Sequence, residues 1–338
     1  MKIIVDGFGG DNAPLEILKG CSLATKEYNV DIVITGDIEI LKKQAKDNKI
    51  DLHNIEFENA TSVLPVCEDP AEILKGYSDS SMAVGLSLLS EDKGDAFISA
   101  GSTGGLVVGS AFIVKRIKGI KRPAIATIIP TDKNCYMLID SGANHDCRPE
   151  MFLQFAIMGS IYMKQVQKIK NPKVGILNIG TEETKGCSLQ KTAYQILKDS
   201  NLNFIGNIEA RDIPLSVADV VVTDGFVGNV VLKYTEGIAK FFMSELKGIF
   251  QKNFLTKLAG SVVYSGLKNF KNKLDYTEYG GAIILGVKKP VIKAHGSSNA
   301  KAIKNAVRQA INIVRNNIVG EINNSLQRYD NKNKENND

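Results

Sequence analysis

The chain has 338 residues, 43% hydrophobic and 23% charged, and Lys plus Arg exceed Asp plus Glu by 42 to 37, a formal net charge of +5. These values are ordinary for a globular protein of one large α/β domain or two lobes, and with no tryptophan and no recognised reader motif a nucleic-acid partner is disfavoured. Five cysteines without a CxxC spacing argue against a disulfide framework and a structural zinc site, and the longest apolar stretches, such as Leu106 to Val114, fall short of the ~20 residues that span a bilayer.

The cysteine set fits a reducing cytosol, and Met1 to Val5 enters a strand directly, without the charged start, long apolar stretch and cleavage site of a signal peptide. The strand Ile3 to Val5 runs into the loop Asp6 to Pro14. Its Gly7-Phe8-Gly9-Gly10-Asp11-Asn12 starts like a dinucleotide fingerprint but has Asn12 where the third glycine belongs. After the strand Ile32 to Ile34, the strand Ala96 to Ile98 leads into Ser99 to Gly105, where Thr103 is expected to cap a segment running from Gly104 towards Arg116. Strands at Ile125 to Ile129 and Tyr136 to Ile139 precede the loop Asp140 to Asn144, and Pro149 stands at the first position of a helix through Met151 to Met163. Val174 to Leu177 is followed by the loop Ile179 to Gly186, in which Lys185-Gly186 lacks the Walker A order. Val220 to Val222 is followed by Thr223 to Asn229, and Ala294 to Asn299 opens a helix.

This alternation of Ile/Val-rich runs with helical segments is the pattern of a mostly parallel sheet covered on both faces. With parallel strands, all six loops gather along the carboxyl edge of one sheet, where open α/β folds bind ligands. Their glycines let backbone N–H groups approach a ligand, and their polar side chains add hydrogen bonds, so the site suits an anion.

Ile238 to about Lys273 breaks the pattern. Its apolar residues fall mostly three or four apart, and from Lys240 to Lys273 it carries seven lysines against the single acid Glu245. Gly260, Ser261, Ser265 and Gly266 are expected to break it into two helices, leaving an apolar tip, Leu258 to Leu267, that includes Val262 and Val263. Two readings stand: a packing or dimer face, and an interfacial contact with an anionic membrane. The tail from Asp330 has no apolar residue and is expected to be disordered, so the α/β unit is taken as residues 1–329.

His53, His145 and His295 are the only histidines, and none has the spacing of a metal pair. His295 sits in a Gly- and hydroxyl-rich turn and is assigned to a site. Asp6, Asp140 and Asp224 each end a strand and can bind a divalent ion, cap turns or orient lysines. No metal and no cofactor are expected.

The blocks VDGFGGDNAP, ISAGSTGG, RIKGIKRPAIA, LIDSGANHDCRPE, NIGTEETKG, GNIEARDIP, TDGFVGNVVLK, LDYTEYGGA and VIKAHGSSNAKAIKNA occur in this order over roughly residues 1–325. Together they resemble the bacterial phosphate acyltransferase family. The resemblance implies transfer of a fatty acyl group from acyl carrier protein to inorganic phosphate. The acyl phosphate would serve a downstream glycerol-3-phosphate acyltransferase in phospholipid synthesis. It also implies a Rossmann-like three-layer fold like that of phosphotransacetylases and isopropylmalate dehydrogenases, with two lobes around a cleft, a homodimer, and a cytoplasmic protein peripherally associated with the membrane.

Residue chemistry and the resemblance together place phosphate among Gly10, Gly101, Ser102, Thr103 and Gly104, near Lys185 and Asn229, with Asp6, Thr181 and Ser298 as further substrate contacts. Lys185 neutralises phosphate, His295 and Asn299 polarise the carbonyl or protonate the leaving sulfur, and Asp224 and Asn144 orient their neighbours. Two rival classes are a nicotinamide-dependent dehydrogenase of related fold, which the failed fingerprint counts against, and a non-enzymatic membrane-associated adaptor resting on the lysine-rich segment.

Overall fold

The computed structural model describes residues 1–274 and 280–335. Its strands are β1 (Lys2–Asp6), β2 (Asp31–Gly36), β3 (Ile55–Asn59), β4 (Ala96–Ser99), β5 (Ala124–Pro130), β6 (Cys135–Ile139), β7 (Lys173–Asn178), β8 (Asn203–Glu209), β9 (Val220–Val222), β10 (Ala282–Leu285) and β11 (Val291–Lys293). The helices are α1 (Leu15–Tyr28), α2 (Ile38–Asp47), α3 (Ser81–Ser90), α4 (Thr103–Gly109), α5 (Pro149–Gln165), α6 (Ser188–Lys198), α7 (Gly225–Gln251), α8 (Phe254–Leu274), α9 (Ala300–Arg315) and α10 (Ile318–Glu335). All strands form one sheet in the order β3-β2-β1-β4-β11-β10-β5-β6-β9-β7-β8. Pairing is parallel except at β11–β10, β10–β5 and β5–β6.

Those three pairings correct the expectation that all six loops share one edge. β5 and β6 are joined by a turn whose Thr131 N–H bonds the Asn134 carbonyl, too short for a parallel crossover, so the chain reverses there. Strands β6, β9 and β7 consequently run opposite to β1, β4 and β11. The loops after β1, β4 and β11 leave one edge of the sheet; those after β6, β9 and β7 leave the other.

Side chains alternate across the sheet as the strand period requires. Ile3, Val5, Ile98, Met137, Ile139, Val220, Val222 and Ile283 belong to one cluster that continues across the whole sheet under α1, α5, α6, α9 and α10. The intervening residues face the other way and split into two clusters. Ile4, Phe97 and Ile284 pack under α3 and α4, and Tyr136, Leu138 and Val221 pack near the start of α7. Between these two clusters, at Ala282 of β10 and at Ile125 and Thr127 of β5, the sheet face borders a cleft.

Several local expectations shift. Ser102, not Thr103, caps α4, its hydroxyl accepting from Gly105 N–H at 3.3 Å, and the helix loosens into a wider π turn over Ser110–Lys115. Pro149 opens α5 as expected. The break in the lysine-rich segment falls at Lys252–Asn253, where the Asn253 and Thr256 side chains each bond the other's backbone N–H at 2.9 Å. Gly260 to Gly266 lie inside α8. Gly260 serves packing instead of breaking the helix, since a Cβ there would stand 3.1 Å from Cβ of Phe250 on α7. Helix α10 continues to Glu335, past the expected disordered start at Asp330, because extending a formed helix needs no new nucleus. Asp275 to Tyr279 of the LDYTEYGGA block, and residues 336–338, lie outside the described residues. No described helix is long and apolar enough to cross a membrane.

The α1–α9 contact depends on Gly20, where a Cβ would fall 2.6 Å from Cβ of Ile303 and 2.7 Å from the Ala300 carbonyl oxygen. Gly20→Ala is expected to lower stability by about 1–3 kcal/mol, because helix backbone cannot yield as a side-chain tip can. Gly237→Ala, with nothing within 4 Å of its Cβ, should raise stability by up to about 1 kcal/mol. Denaturant midpoints of the two variants check both signs.

Candidate active site

The stretch of sheet bordering the cleft floors a cavity of about 520 Å³. Ile125 and Thr127 of β5, Ser141 just after β6 and Ala282 of β10 line it from below. Ser141 donates to the Ile125 carbonyl at 3.1 Å and lies 2.8 Å from the Thr127 hydroxyl.

One wall is the glycine-rich edge. Asp6, buried at the end of β1, accepts from the hydroxyls of Ser81 and Ser99 at 2.6 Å each and from Phe8 N–H at 3.2 Å. Ser99 Oγ in turn accepts from Gly101 N–H at 3.0 Å, so one carboxylate holds the loops after β1 and β4 and the start of α3 together. These loops touch backbone to backbone: a Cβ on Gly9 would stand 2.6 Å from the Gly101 nitrogen. Gly10, at φ +98, takes a left-handed conformation suited to glycine, and Asp11 N–H then donates to the Gly296 carbonyl at 2.8 Å. Asn12 donates to the carbonyls of Ser297 and Ser298 at 3.2 and 3.3 Å.

Lys293 ends β11 and points its ammonium into this wall, donating to the carbonyls of Ala294 at 2.5 Å and Ala100 at 3.3 Å. Burial pushes its pKa down to about 8; the Asp6 and Asp11 carboxylates oppose that fall and Lys233 adds to it. His295 Nδ1 accepts from Ser297 N–H at 3.1 Å, so the neutral ring carries its proton on Nε2. Burial lowers the His295 pKa, Glu236 opposes, and Lys233, Lys293 and Lys240 reinforce the fall, so the ring is neutral near pH 7.

The opposite wall is α7. It starts at the far edge of the sheet, and its 27 residues span about 40 Å, carrying Asn229, Leu232, Lys233 and Glu236 across to the cavity on one helical face. Lys233 and Glu236 pair at 2.9 Å. Val63, Leu64, Pro65 and Val66 supply an apolar rim, with Val66 79% exposed.

Of the residues expected from sequence, Asp6, Gly10, Gly101, Thr103, Asn229 and His295 line this cavity. Others serve as its supports. Ser102 caps α4, Gly104 rests against Pro70, and Ser298 is buried beside His295, its N–H donating to the His295 carbonyl at 3.0 Å. The Asn299 carboxamide is engaged in capping α9, accepting from Ala302 N–H at 3.0 Å, and Asp224 caps α7, accepting from Val227 N–H at 2.9 Å. Asn144 donates to Asp140 and to the Pro123 carbonyl, each at 2.8 Å. Asp140 accepts five N–H bonds in all, from Ile125, Gly142, Ala143 and twice from Asn144, and holds its loop closed. The three strand-ending aspartates thus act as loop and cap anchors.

Lys185 and Thr181 are not brought to the cavity. Both are exposed on the loop after β7, at the other edge of the sheet, with the Lys185 ammonium 4.0 Å from Glu182. The chain reversal at β5–β6 puts them there. His53 is exposed and remote, and His145 meets Phe226 edge-on at a centroid distance of 6.5 Å. Sequence reasoning passed over Lys293, Lys233, Glu236 and the apolar rim. Lys293 was legible as a lysine closing the apolar run Val291–Ile292, and Lys233 and Glu236 as residues four and seven on from Asn229 on one helix.

A family model described as "Fatty acid synthesis protein" matches residues 1–320. A curated protein of Thermoanaerobacterium thermosaccharolyticum named "Phosphate acyltransferase" is 49% identical, the match covering 97% of each chain. Another of that name from Clostridioides difficile is 44% identical over 100% of both chains. Among solved structures, a phosphotransacetylase from Streptococcus pyogenes aligns with a TM-score of 0.60 at 16% identity, covering 95% of this chain and 94% of its own. The EutD phosphotransacetylase from Staphylococcus aureus aligns with a TM-score of 0.58 at 16% identity, covering 94% of each. At that identity the two structures speak for the fold, and they bear out the three-layer α/β expectation.

The depressed Lys293 pKa carries a sign that can be measured. Between pH 8 and 10.5 the unfolded chain keeps the Lys293 proton while the native chain loses it, so Lys293 makes stability rise with pH across that window. The stability of the parent relative to Lys293→Met is expected to increase from pH 8 to 10.5 and to be flat below pH 7, as read from denaturant midpoints at each pH.

Proposed function

The chain belongs to the fatty acid synthesis protein family whose curated members are phosphate acyltransferases, and from that premise we propose that it transfers a fatty acyl group from acyl carrier protein to inorganic phosphate. Family membership makes it an acyltransferase and sets aside the adaptor reading. The observation that carries the finer reading is one cavity joining a glycine-walled end, where Lys293, Lys233 and His295 bring N–H donors beside Asp6, Asp11 and Glu236, to an apolar rim at Val63–Val66. The first suits a phosphate, the second an acyl chain.

Phosphate near neutral pH is already an anionic oxygen nucleophile, so the reaction needs no serine or cysteine nucleophile from the protein. Its oxygen adds to the thioester carbonyl, the C–S bond breaks, and the carrier thiol leaves as a thiolate that takes up a proton. With a reference thiol pKa of about 8.5, that leaving group needs little acid assistance. Lys293 and Lys233 neutralise phosphate charge, and the glycine loops let it approach the backbone closely. His295, with its proton on Nε2, donates to the developing oxyanion. Asn229 faces the same space from α7. Holding the two substrates together can supply up to ~7–11 kcal/mol in favourable cases. The acyl phosphate would then serve a glycerol-3-phosphate acyltransferase.

The helical hairpin of α7 and α8 exposes Phe241, Phe242, Ile249, Phe254, Leu255, Leu258, Val262, Val263 and Tyr264 among its lysines. That combination supports both a homodimer face and a peripheral contact with an anionic membrane by a cytoplasmic protein whose product is an amphipath.

Incubating the pure protein with acyl carrier protein thioester and phosphate should yield acyl phosphate, trapped as a hydroxamate. Lys293→Ala and His295→Ala are expected to slow it at least about tenfold, the low end for a positioned charge stabiliser or acid, with His53→Ala silent. Lys185→Ala separates two locations. A loss matching that of His295→Ala would put the reacting phosphate at the far edge of the sheet instead of in the cavity.

Replacing Leu258 and Val262 together by Glu, at positions 52% and 81% exposed, should reduce sedimentation with anionic liposomes while turnover of soluble carrier substrate is kept. Unchanged sedimentation would leave the hairpin as a packing face.

A further inference from the structure

A second cavity, of about 340 Å³, lies on the other face of the sheet from the candidate active site, between α5, α10 and the chain segments entering β7 and β8. Its base is one stripe of α5. Leu153, Ile157 and Ile161 recur every four residues and make the apolar part, while Ser160 and Lys164, also four apart, make the polar part. From Leu153 to Lys164 the stripe runs about 16 Å along the helix.

Two further cations join Lys164 in the lining: Lys170, on the segment before β7, and Arg328, on α10. They come from three separate stretches of chain, and among the described residues no Asp or Glu lines the cavity. Ser160 Oγ on the same stripe is buried without a hydrogen-bond partner. Nothing in the proposed reaction uses any of these groups.

We infer that this cavity is a second ligand site, taking a single-chain amphipath whose alkyl tail lies along Leu153, Ile157 and Ile161. Its anionic head, carboxylate or phosphate, meets Lys164, Lys170 and Arg328. The apolar stripe alone would accept any hydrocarbon; three cations in the lining, with no acid among the described lining residues, select a negative head. The inference goes beyond the proposed reaction and does not rest on it.

Equilibrium dialysis of the full chain tests it, with dodecyl phosphate and dodecanoate as probes below their micelle concentrations and dodecanol and inorganic phosphate as controls. The Lys293→Ala background weakens binding in the candidate active site, so the remaining sites can be counted. One mole of amphipath per chain is expected to remain there, and the exposed pair Lys164→Glu and Arg328→Glu should weaken it at least tenfold without altering the melting temperature. Equal binding of both probes would identify an anionic head of either kind, and tighter dodecyl phosphate a phosphate-headed ligand; each upholds the site. The inference is overturned if no saturable binding remains in that background, if charge reversal leaves it unchanged, or if dodecanol or phosphate alone binds as tightly as dodecyl phosphate.

Discussion

The reversal of the chain between β5 and β6 is the constraint on which the rest of the molecule depends. A turn that short leaves only antiparallel pairing, and the strand directions on either side follow from it. The sheet becomes two halves of opposite polarity, each with glycine-rich loops at its own carboxyl edge. One face stays continuously apolar; the other breaks into two clusters with a cleft between them. The cleft is therefore a consequence of topology, and α7 is long enough to carry residues of the second half across it.

Within the cleft, opposed electrostatic effects are balanced on few atoms. Lys293 is drawn towards its charged form by Asp6 and Asp11, yet burial wins and its proton is held loosely. Asp6 meanwhile receives two serine hydroxyls, which fixes the loops that surround the ammonium. A site arranged in this way presents its N–H donors with little rearrangement needed when a ligand arrives, because the carboxylate's hydrogen bonds are already satisfied within the protein. His295 is held in the same way, its Nδ1 accepting from Ser297 N–H, which fixes the tautomer of the neutral ring.

The lysine-rich hairpin and the second cavity are two ways of placing apolar surface beside positive charge. On the hairpin the apolar side chains stand outward, Val262 81% exposed among lysines, which suits an extended surface. In the second cavity Leu153, Ile157 and Ile161 share a lining with three cations, which suits a single chain. Both fit the proposed transfer of a fatty acyl group, and they differ in the shape of what each can hold.

Composition, period and motif order were enough to read the α/β class, the strand runs at Ile3–Val5, Ala96–Ile98 and Val220–Val222, and the family, and they picked out Asp6, Gly10, Gly101, Thr103, Asn229 and His295, which the fold brings to one cavity. These are local properties: alternation follows from strand geometry, and glycines mark close backbone approach wherever the chain goes. Edge strands such as β3 and β8 were missed because their half-exposed residues blur the apolar pattern. Which loops meet was not local. Lys185 and Lys293 look alike in sequence, each beside a glycine-bearing turn after a strand; strand direction, set by one short turn, put Lys293 in the cleft and Lys185 at the far edge. Asn299 likewise reads as a free polar side chain until the backbone N–H of Ala302 claims it. The residue types were written in the sequence, and their assignment to chemistry or to support was decided by the register and polarity of strands far apart along the chain.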